Sequence, residues 1–207
     1  MKLDSNIKEN NTYNIRSVYF DNYDNTYFRE TEDGVNERLK IRIRIYNKSN
    51  EIIKLEIKYK KDGMTKKESA IITKELCDKL IYGKLLSYEE CKNNKVLNKV
   101  YIESRLRLLK PKIIVEYDRT AFISKVGNIR ITFDKNIRTS NKVKRFFEDN
   151  IYANPINDLN THVLEVKYDE FIPQYILSTL ELNTLRQTSY SKYYLSRLYM
   201  GDENYEF

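Results

Sequence analysis

The chain has 207 residues and a net charge of +7 at pH 7, because 37 lysine and arginine residues outnumber 30 aspartate and glutamate residues. This length suits one sizeable domain, and we predict a single domain over residues 1–207. The basic charge favours an acidic partner, but does not choose among nucleic acid, anionic lipid and a phosphate chain. Cys77 and Cys91 have no CxxC spacing and His162 is the single histidine, which argues against a zinc cluster.

Targeting signals are absent from the sequence. No apolar run approaches the roughly 18 to 20 residues that span a bilayer, and the first residues lack the apolar core of a secretory signal. These observations predict a cytoplasmic protein without a membrane span.

Strand patterns dominate the first part of the chain, and helical patterns are inserted later. Alternation and turn signals predict strands at 13–20, 36–46, 52–61, 64–72, 112–124, 128–135 and 161–171. Apolar spacing and end signals predict helices at 74–82, 95–109, 174–186 and 189–200. Residues 136–160 are predicted to be irregular apart from a helical turn at 142–149, and Asn183 is a predicted interruption of the third helix. This order is typical of an α+β fold.

Two neighbouring strands carry charges on nearly every second residue. The charged positions are Arg38, Lys40, Arg42 and Arg44 in the first strand, and Lys54, Glu56, Lys58 and Lys60 in the second. Since side chains alternate between the two faces of a strand, one face is apolar and the other is a bed of cations. Such a sheet can expose its charges to solvent, or curl so that they line a lumen while helices cover the apolar wall. The pattern itself leaves both arrangements open.

Seven short motifs occur in an order that resembles the VTC domain, the polyphosphate polymerase branch of the triphosphate tunnel metalloenzymes. They are Tyr13-Asn14-Ile15-Arg16-Ser17-Val18-Tyr19-Phe20-Asp21, Arg42-Ile43-Arg44-Ile45-Tyr46, Leu55-Glu56-Ile57-Lys58, Val115-Glu116-Tyr117-Asp118-Arg119, Ile129-Arg130-Ile131-Thr132-Phe133-Asp134, Leu164-Glu165-Val166-Lys167-Tyr168 and Ser191-Lys192-Tyr193. The resemblance implies an antiparallel β-barrel, a tunnel whose cationic lumen grips a triphosphate or polyphosphate, with helices packed outside.

The resemblance also implies roles for individual residues. It implies catalytic phosphate contacts for Arg42, Arg44, Lys58, Arg119, Arg130 and Lys192. It implies further phosphate binding by Lys66 or Lys67, Tyr117 and Ser191. Glu165 is the implied ligand of Mn²⁺ or Mg²⁺. These residue types suit phosphoryl transfer, which depends on positioning and charge stabilisation more than on covalent help.

Structural alternatives accompany several of these roles. A shift of one residue in register exchanges Lys66 and Lys67 between the two faces of the strand. Arg119 has an alternative role in pairing with Glu116 or Asp118. The alternative role of Glu165 is to neutralise Lys167 or Lys58.

One departure from the family pattern concerns the first strand. Family members begin with a strand and a helix before the Tyr13 motif, whereas only about a dozen residues precede it here. The resemblance therefore predicts a barrel one wall strand short, with an edge to be covered, shortened or completed by another chain as a homo-oligomer. Catalytic competence is left open by this departure.

Three functions fit these observations. The leading hypothesis is a polyphosphate polymerase that moves the γ-phosphate of ATP onto a phosphate or polyphosphate acceptor. The second is a module that binds triphosphate or polyphosphate without turnover. The third is an inorganic triphosphatase, which the Ser191-Lys192-Tyr193 motif disfavours. No motif that reads nucleic acid is present, so we expect no specific nucleic-acid partner.

Overall fold

The structure, a computed structural model, describes residues 1–4, 11–158, 160–180 and 187–201. Within these ranges the strands are β1 (Lys2–Leu3), β2 (Tyr13–Asp21), β3 (Arg38–Tyr46), β4 (Ile53–Lys61), β5 (Met64–Ile72), β6 (Lys110–Ser124), β7 (Ile129–Ser140), β8 (Asn154–Pro155) and β9 (Val163–Lys167). The helices are α1 (Thr26–Glu32), α2 (Lys74–Ile81), α3 (Tyr88–Cys91), α4 (Lys95–Arg107), α5 (Gln174–Leu180) and α6 (Lys192–Tyr199). In these described ranges, none of the helices combines the length and the apolar character needed to cross a bilayer.

All described strands belong to one antiparallel sheet. Its order is β5-β4-β3-β2-β6-β7, the short β1 also pairs with β6, and β8 and β9 pair with the far side of β7. The predicted α+β tunnel fold is confirmed, although the sheet does not close into a complete barrel over the described residues. Strand β5 is left as one edge there, and β8 and β9 form the other.

The apolar face of the sheet forms the core, and we call it the outer face. Ile41, Ile43, Leu55 and Ile57 are fully buried in it. Helices α2 and α4 pack against this side of the sheet, as the period-two pattern requires. The Thr73 hydroxyl accepts a hydrogen bond from the Leu76 amide at 3.3 Å and caps α2.

Several parts of the predicted element map differ from the structure, including the two-residue strand β8 inside the stretch 136–160 that was predicted to be irregular. Strand β7 runs to Ser140 instead of ending at 135, and β9 is shorter than the predicted 161–171. The continuation of β7 is hidden in the sequence because Asn136 has a positive φ of 51°, beside a register shift that interrupts the alternation. Helix α3 was not predicted, although Ser87 and Glu90 form its capping box. The strand β1 was not predicted, and the predicted helical residues 181–186, including Asn183, lie outside the described ranges.

A buried ion pair anchors the outer face. Arg16 is fully buried and pairs with Glu116 on β6. The guanidinium of Arg16 also donates to the backbone carbonyls of Phe146, at 2.8 Å, and Glu148. Arg138 approaches the other carboxylate oxygen of Glu116 at 2.8 Å. Arg16 therefore joins β2, β6 and the loop after β7.

Replacing Arg16 tests this anchor. Arg16→Met leaves Glu116 partly uncompensated and two carbonyls without donors, so we expect a loss of about 3 kcal/mol in the free energy of unfolding. Urea unfolding followed by circular dichroism measures the loss. Arg105→Met, at an exposed position on α4, is the matched control and should change stability by less than about 0.5 kcal/mol. Equal stability of the two variants would contradict the anchor role.

Candidate functional site

The strand register collects the charged residues on the face opposite the core, which we call the inner face. Directly opposed residues of antiparallel strands project from the same side of a sheet. The opposed pairs on this side are Ser17 with Arg44, Arg42 with Glu56, Lys58 with Lys67, Arg119 with Asp134, and Thr132 with Glu165. The inner face therefore runs across β2, β3, β4, β5, β6, β7 and β9.

The inner face is enclosed despite its charge. Arg44 is 7% exposed and Arg119 is 8% exposed, while Glu56 and Asp134 are 2% and 0% exposed. A sheet that simply solvated this face would leave these groups in water, so the solvated-face interpretation is wrong. The charges instead line a groove whose walls are the curled sheet.

Helix α6 helps to enclose the groove. The ring of Tyr193 stacks on that of Tyr19, with ring centroids 5.1 Å apart. The hydroxyl of Tyr193 donates to Asp21 at 2.6 Å, which fixes the helix to the end of β2. At the helix start, the Ser191 hydroxyl accepts from the Lys40 ammonium at 2.8 Å. The first turn of α6 is thus held directly over the inner face.

One group of side chains on the inner face gathers around Glu56, and we call Glu56, Arg42 and Lys67 the Glu56 cluster. The Arg42 guanidinium donates to Glu56 Oε2 at 2.7 Å, and Lys67 donates to Oε1 at 3.3 Å. Arg42 also donates to the hydroxyl of Tyr19 at 3.0 Å. Burial acts to raise the pKa of Glu56, but Arg42 and Arg44 outweigh it and lower that pKa to about 2. Glu56 is therefore a fixed anion among cations.

A second group gathers around Asp134, and we call Asp134, Arg119 and Lys192 the Asp134 cluster. The Arg119 guanidinium grips the carboxylate through Nε at 2.6 Å and Nη2 at 2.8 Å, and Lys192 approaches it at 2.7 Å. Both cations also lie over the ring of Tyr117, at 5.2 Å and 4.9 Å from its centroid. Burial acts to raise the pKa of Asp134, but its bonds to Arg119 and Lys192 keep that pKa below its ordinary value.

Arg44 differs from Arg42, Arg119 and Arg130 of the inner face, which each contact a carboxylate. Its guanidinium donates to the Ser17 hydroxyl at 3.2 Å and to the Tyr117 hydroxyl at 3.1 Å. It forms no ion pair with any residue in the described part of the chain. Glu56 interacts with Arg44 electrostatically but is contacted directly by Arg42 and Lys67, so the buried Arg44 charge is only partly compensated, which is costly. Arg44 is therefore a candidate contact for an external anion.

Glu165 is the candidate metal ligand. Its carboxylate accepts from Lys167 at 3.1 Å and lies 3.6 Å from Arg119. Burial acts to raise the pKa of Glu165, but Lys167 and Arg119 outweigh it and keep the group ionised. Among the described residues no set of three acidic, histidine or cysteine side chains is close enough to hold an ion. A single carboxylate fits Mg²⁺ or Mn²⁺ that is also bound by substrate phosphates, and does not make a metal site by itself.

Most of the predicted site residues converge on the groove, and the register separates Lys66 from Lys67. Lys67 shares the inner face, whereas Lys66 lies opposite Tyr59 on the other side of β5 and pairs with Glu68. Lys58 faces inward, and partial desolvation together with Lys167 lowers its pKa. Arg130 faces inward at the margin of the groove.

Arg130 and Arg119 have carboxylate partners that the sequence did not indicate. Arg130 donates to Asp4 at 2.7 Å and to the hydroxyl of Tyr13 at 3.0 Å. Arg119 pairs with Asp134 and Glu165 rather than with the predicted alternatives Glu116 and Asp118.

The sequence assigned no site role to five residues of the groove, although its alternation placed Lys40 and Glu56 on the charged face: Tyr19, Lys40, Glu56, Thr132 and Asp134. All but Lys40 were inside quoted motifs, and their period-two placement beside Arg42, Lys58 or Arg130 was the available signal. The Thr132 hydroxyl is buried beside Glu165 without a hydrogen-bond partner among the described residues. Groups of this kind are usually completed by water or a ligand.

An antiparallel sheet curled around an enclosed bed of arginine and lysine, with helices outside, defines a tunnel-fold protein. The family model described as the VTC domain matches residues 1–200, and the chain belongs to this family. This membership confirms the resemblance that the motifs predicted.

Comparison with solved structures agrees on the fold. The chain is similar to a candidate adenylate cyclase from Bacillus halodurans, with 13% sequence identity and a TM-score of 0.50. The match covers 90% of this chain and 82% of that one. At this identity the likeness shows the fold alone. No curated protein sequence matches the chain.

The charge of the groove should fall above pH 8. Burial acts to raise the pKa of Tyr19, but Arg42 and Arg44 outweigh it and lower that pKa to about 8. Burial, reinforced by Lys58, lowers the pKa of Lys40 to about 8. Raising the pH through 8 therefore ionises Tyr19 and neutralises Lys40, and both changes remove positive charge from the same end of the groove.

We expect the affinity for inorganic tripolyphosphate to weaken about tenfold between pH 7 and pH 9 at constant ionic strength. Isothermal titration calorimetry measures this change. The double variant Tyr19→Phe, Lys40→Arg removes both titrations and should give a flatter profile, which also accounts for titration of the ligand itself. Parallel profiles for the two proteins would show that Tyr19 and Lys40 do not set the pH dependence.

Proposed function

We propose that this protein binds ATP with its triphosphate in the groove and transfers the γ-phosphoryl group to a phosphate or polyphosphate acceptor. The observation that carries the proposal is Arg44, a buried guanidinium held by two neutral hydroxyls and without a carboxylate partner among the described residues. The flanking Glu56 and Asp134 clusters add cations on both sides. Membership of the VTC domain family supports the same chemistry.

The proposed reaction needs positioning and charge stabilisation. An acceptor phosphate oxygen forms a bond to the γ-phosphorus as the bond from that phosphorus to the β,γ-bridging oxygen breaks, and ADP leaves with the electron pair. Arg44, Arg42 and Arg119 present planar donors that suit pairs of phosphate oxygens. The enclosure strengthens their interaction with the charge that develops in the transition state.

Glu165 is the residue that would hold Mn²⁺ or Mg²⁺ together with the phosphates. When bound, such an ion would neutralise charge on the phosphoryl oxygens and so favour transfer of the phosphoryl group. Lys167 and Arg119 keep the pKa of the Glu165 carboxyl below its ordinary value. The Glu165 side chain is 36% exposed, so it is accessible from the inner face. Lys192 and Ser191, held over the groove by α6, are placed to contact a phosphate from the side opposite the sheet.

The open seam of the sheet supports a second function. Strands β5 and β9 do not pair with each other in the described residues. A groove that admits water at this seam suits binding of a polyanion without transfer, because water competes with the acceptor for the reacting phosphate. Binding without turnover is therefore the alternative that the same assay must separate.

Replacing Arg44 tests the proposed function. Arg44→Met removes a buried charge that no carboxylate of the described residues contacts directly, so the empty protein should be equally or more stable. The same change should weaken binding of a non-hydrolysable ATP analogue roughly 30-fold, about 2 kcal/mol, because charge-assisted hydrogen bonds are lost. Calorimetry measures the affinity and thermal unfolding measures the stability.

Turnover is measured on the same proteins. The wild-type protein with ATP and Mn²⁺ should release ADP and form acid-labile polyphosphate, and Arg44→Met should do so at least tenfold more slowly. Arg105→Met is the matched exposed control and should behave as the wild-type protein. If the protein binds the analogue but forms neither ADP nor polyphosphate from ATP at any Mn²⁺ concentration, the binding module is favoured. If Arg44→Met binds the analogue as tightly as the wild-type protein does, the proposed site is refuted.

A separate measurement tests the metal role of Glu165. Electron paramagnetic resonance should detect little Mn²⁺ bound to the protein alone, and tight Mn²⁺ binding after the non-hydrolysable analogue is added. A mixture of Mn²⁺ and analogue without protein gives the background signal, which is subtracted. After this subtraction, Glu165→Gln should show much less protein-bound Mn²⁺ than the wild-type protein. Wild-type levels of protein-bound Mn²⁺ in Glu165→Gln would remove this residue from the metal site.

A further inference from the structure

Two carboxylates in the groove occupy the cations that the proposed function needs for phosphate. Glu56 and Asp134 are 2% and 0% exposed, and neither lies in the apolar core. Glu56 is contacted by Arg42 and Lys67 of the inner face, and Asp134 is contacted by Arg119 of the inner face and Lys192 of α6. In the described structure the charge of the groove is therefore partly neutralised from within, by acids of its own chain.

The hydrogen bonds of the two arginines set up a competition with any incoming anion. The Arg42 guanidinium contacts the Glu56 carboxylate through Nε and Nη2, and donates from Nη1 to the Tyr19 hydroxyl. Arg119 gives Nε and Nη2 to Asp134. The edge of each guanidinium that would chelate a phosphate is already used by a carboxylate. A phosphate gains that edge only if the carboxylate gives it up or shares it.

We infer that Glu56 and Asp134 are displaceable internal counter-anions, which hold the cations in position in the empty groove and weaken its grip on polyanions. This inference rests on the proposed function, because it assigns these residues a role in phosphate affinity. An enclosed row of cations without such acids binds a long polyanion so tightly that exchange is slow. Acids that trade places with phosphate let a chain enter, move and leave.

The alternative is that Glu56 and Asp134 only scaffold the arginines. The two roles predict opposite signs for the change in affinity. Neutralising a scaffold misplaces the arginines and weakens binding. Neutralising a counter-anion removes a competing charge a few ångströms from the phosphate, and this Coulomb gain exceeds the loss of preorganisation in an enclosed site.

The experiment compares Glu56→Gln, Asp134→Asn and a control, Glu68→Gln. Glu68 lies on β5, is paired with Lys66 and Lys95, and faces away from the groove. Inorganic tripolyphosphate is the probe. We expect the two groove variants to bind it about tenfold more tightly, and to release it more slowly in a competition assay with excess unlabelled tripolyphosphate. The control should stay within twofold of the wild-type protein.

Stability gives a second readout. Without ligand, the groove variants should melt at a lower temperature than the wild-type protein, since buried cations lose their partner. Tripolyphosphate should raise their melting temperature by more than it raises that of the wild-type protein. A variant that does not fold alone should be recovered by refolding in tripolyphosphate, and failure of that recovery would contradict the inference.

The outcomes separate this inference from the proposed function. Absence of tripolyphosphate binding by the wild-type protein would refute the proposed function. If the wild-type protein binds tripolyphosphate, and both groove variants bind it with equal or lower affinity, the counter-anion role alone is refuted.

Discussion

The structure depends on confining many cations to one enclosed face of a sheet. Arginine and lysine side chains removed from water repel one another and lose hydration, and both effects oppose folding. The period-two alternation of β3 and β4 makes the arrangement unavoidable, because the isoleucines that build the core fix the position of Arg42 and Arg44 on the opposite face. The core and the groove are therefore two consequences of one pattern.

The same protein handles buried arginine in two different ways. On the outer face, Arg16 has a carboxylate and backbone carbonyls as partners, so its charge is satisfied within the chain. On the inner face, the Arg44 guanidinium donates to the hydroxyls of Ser17 and Tyr117 and contacts no carboxylate among the described residues. The first arrangement satisfies the charge by direct contacts, whereas the second leaves it without a contacting carboxylate. This contrast is the physical reason to treat Arg16 as a structural arginine and Arg44 as a candidate binding arginine.

The sequence predicts the faces of the groove better than its internal contacts. Alternation places Arg42 and Lys58 on one side of a hairpin, since both neighbours are close in the chain. The choice between Lys66 and Lys67 needs the register of β5 against β4, and one residue of slip reverses it. The partnership of Arg119 with Asp134 depends on pairing between β6 and β7, and the left-handed Asn136 hides how far that pairing extends. Contacts made by α6 with β2 join residues too distant in the chain for local patterns to show.

The division between arginine and lysine in the groove follows from burial. Lysine loses its proton more readily as water is withdrawn, and the pKa of Lys40 falls to about 8 and that of Lys58 is lowered. Arginine keeps its charge under the same conditions. Arg42, Arg44 and Arg119 occupy the enclosed middle, where a lysine would partly discharge, whereas Lys67 is exposed at the β5 edge and Lys40 lies at the α6 end. Permanent charge at the centre and adjustable charge towards the ends suits the proposed role of the groove, in which a polyanion is held firmly yet exchanged.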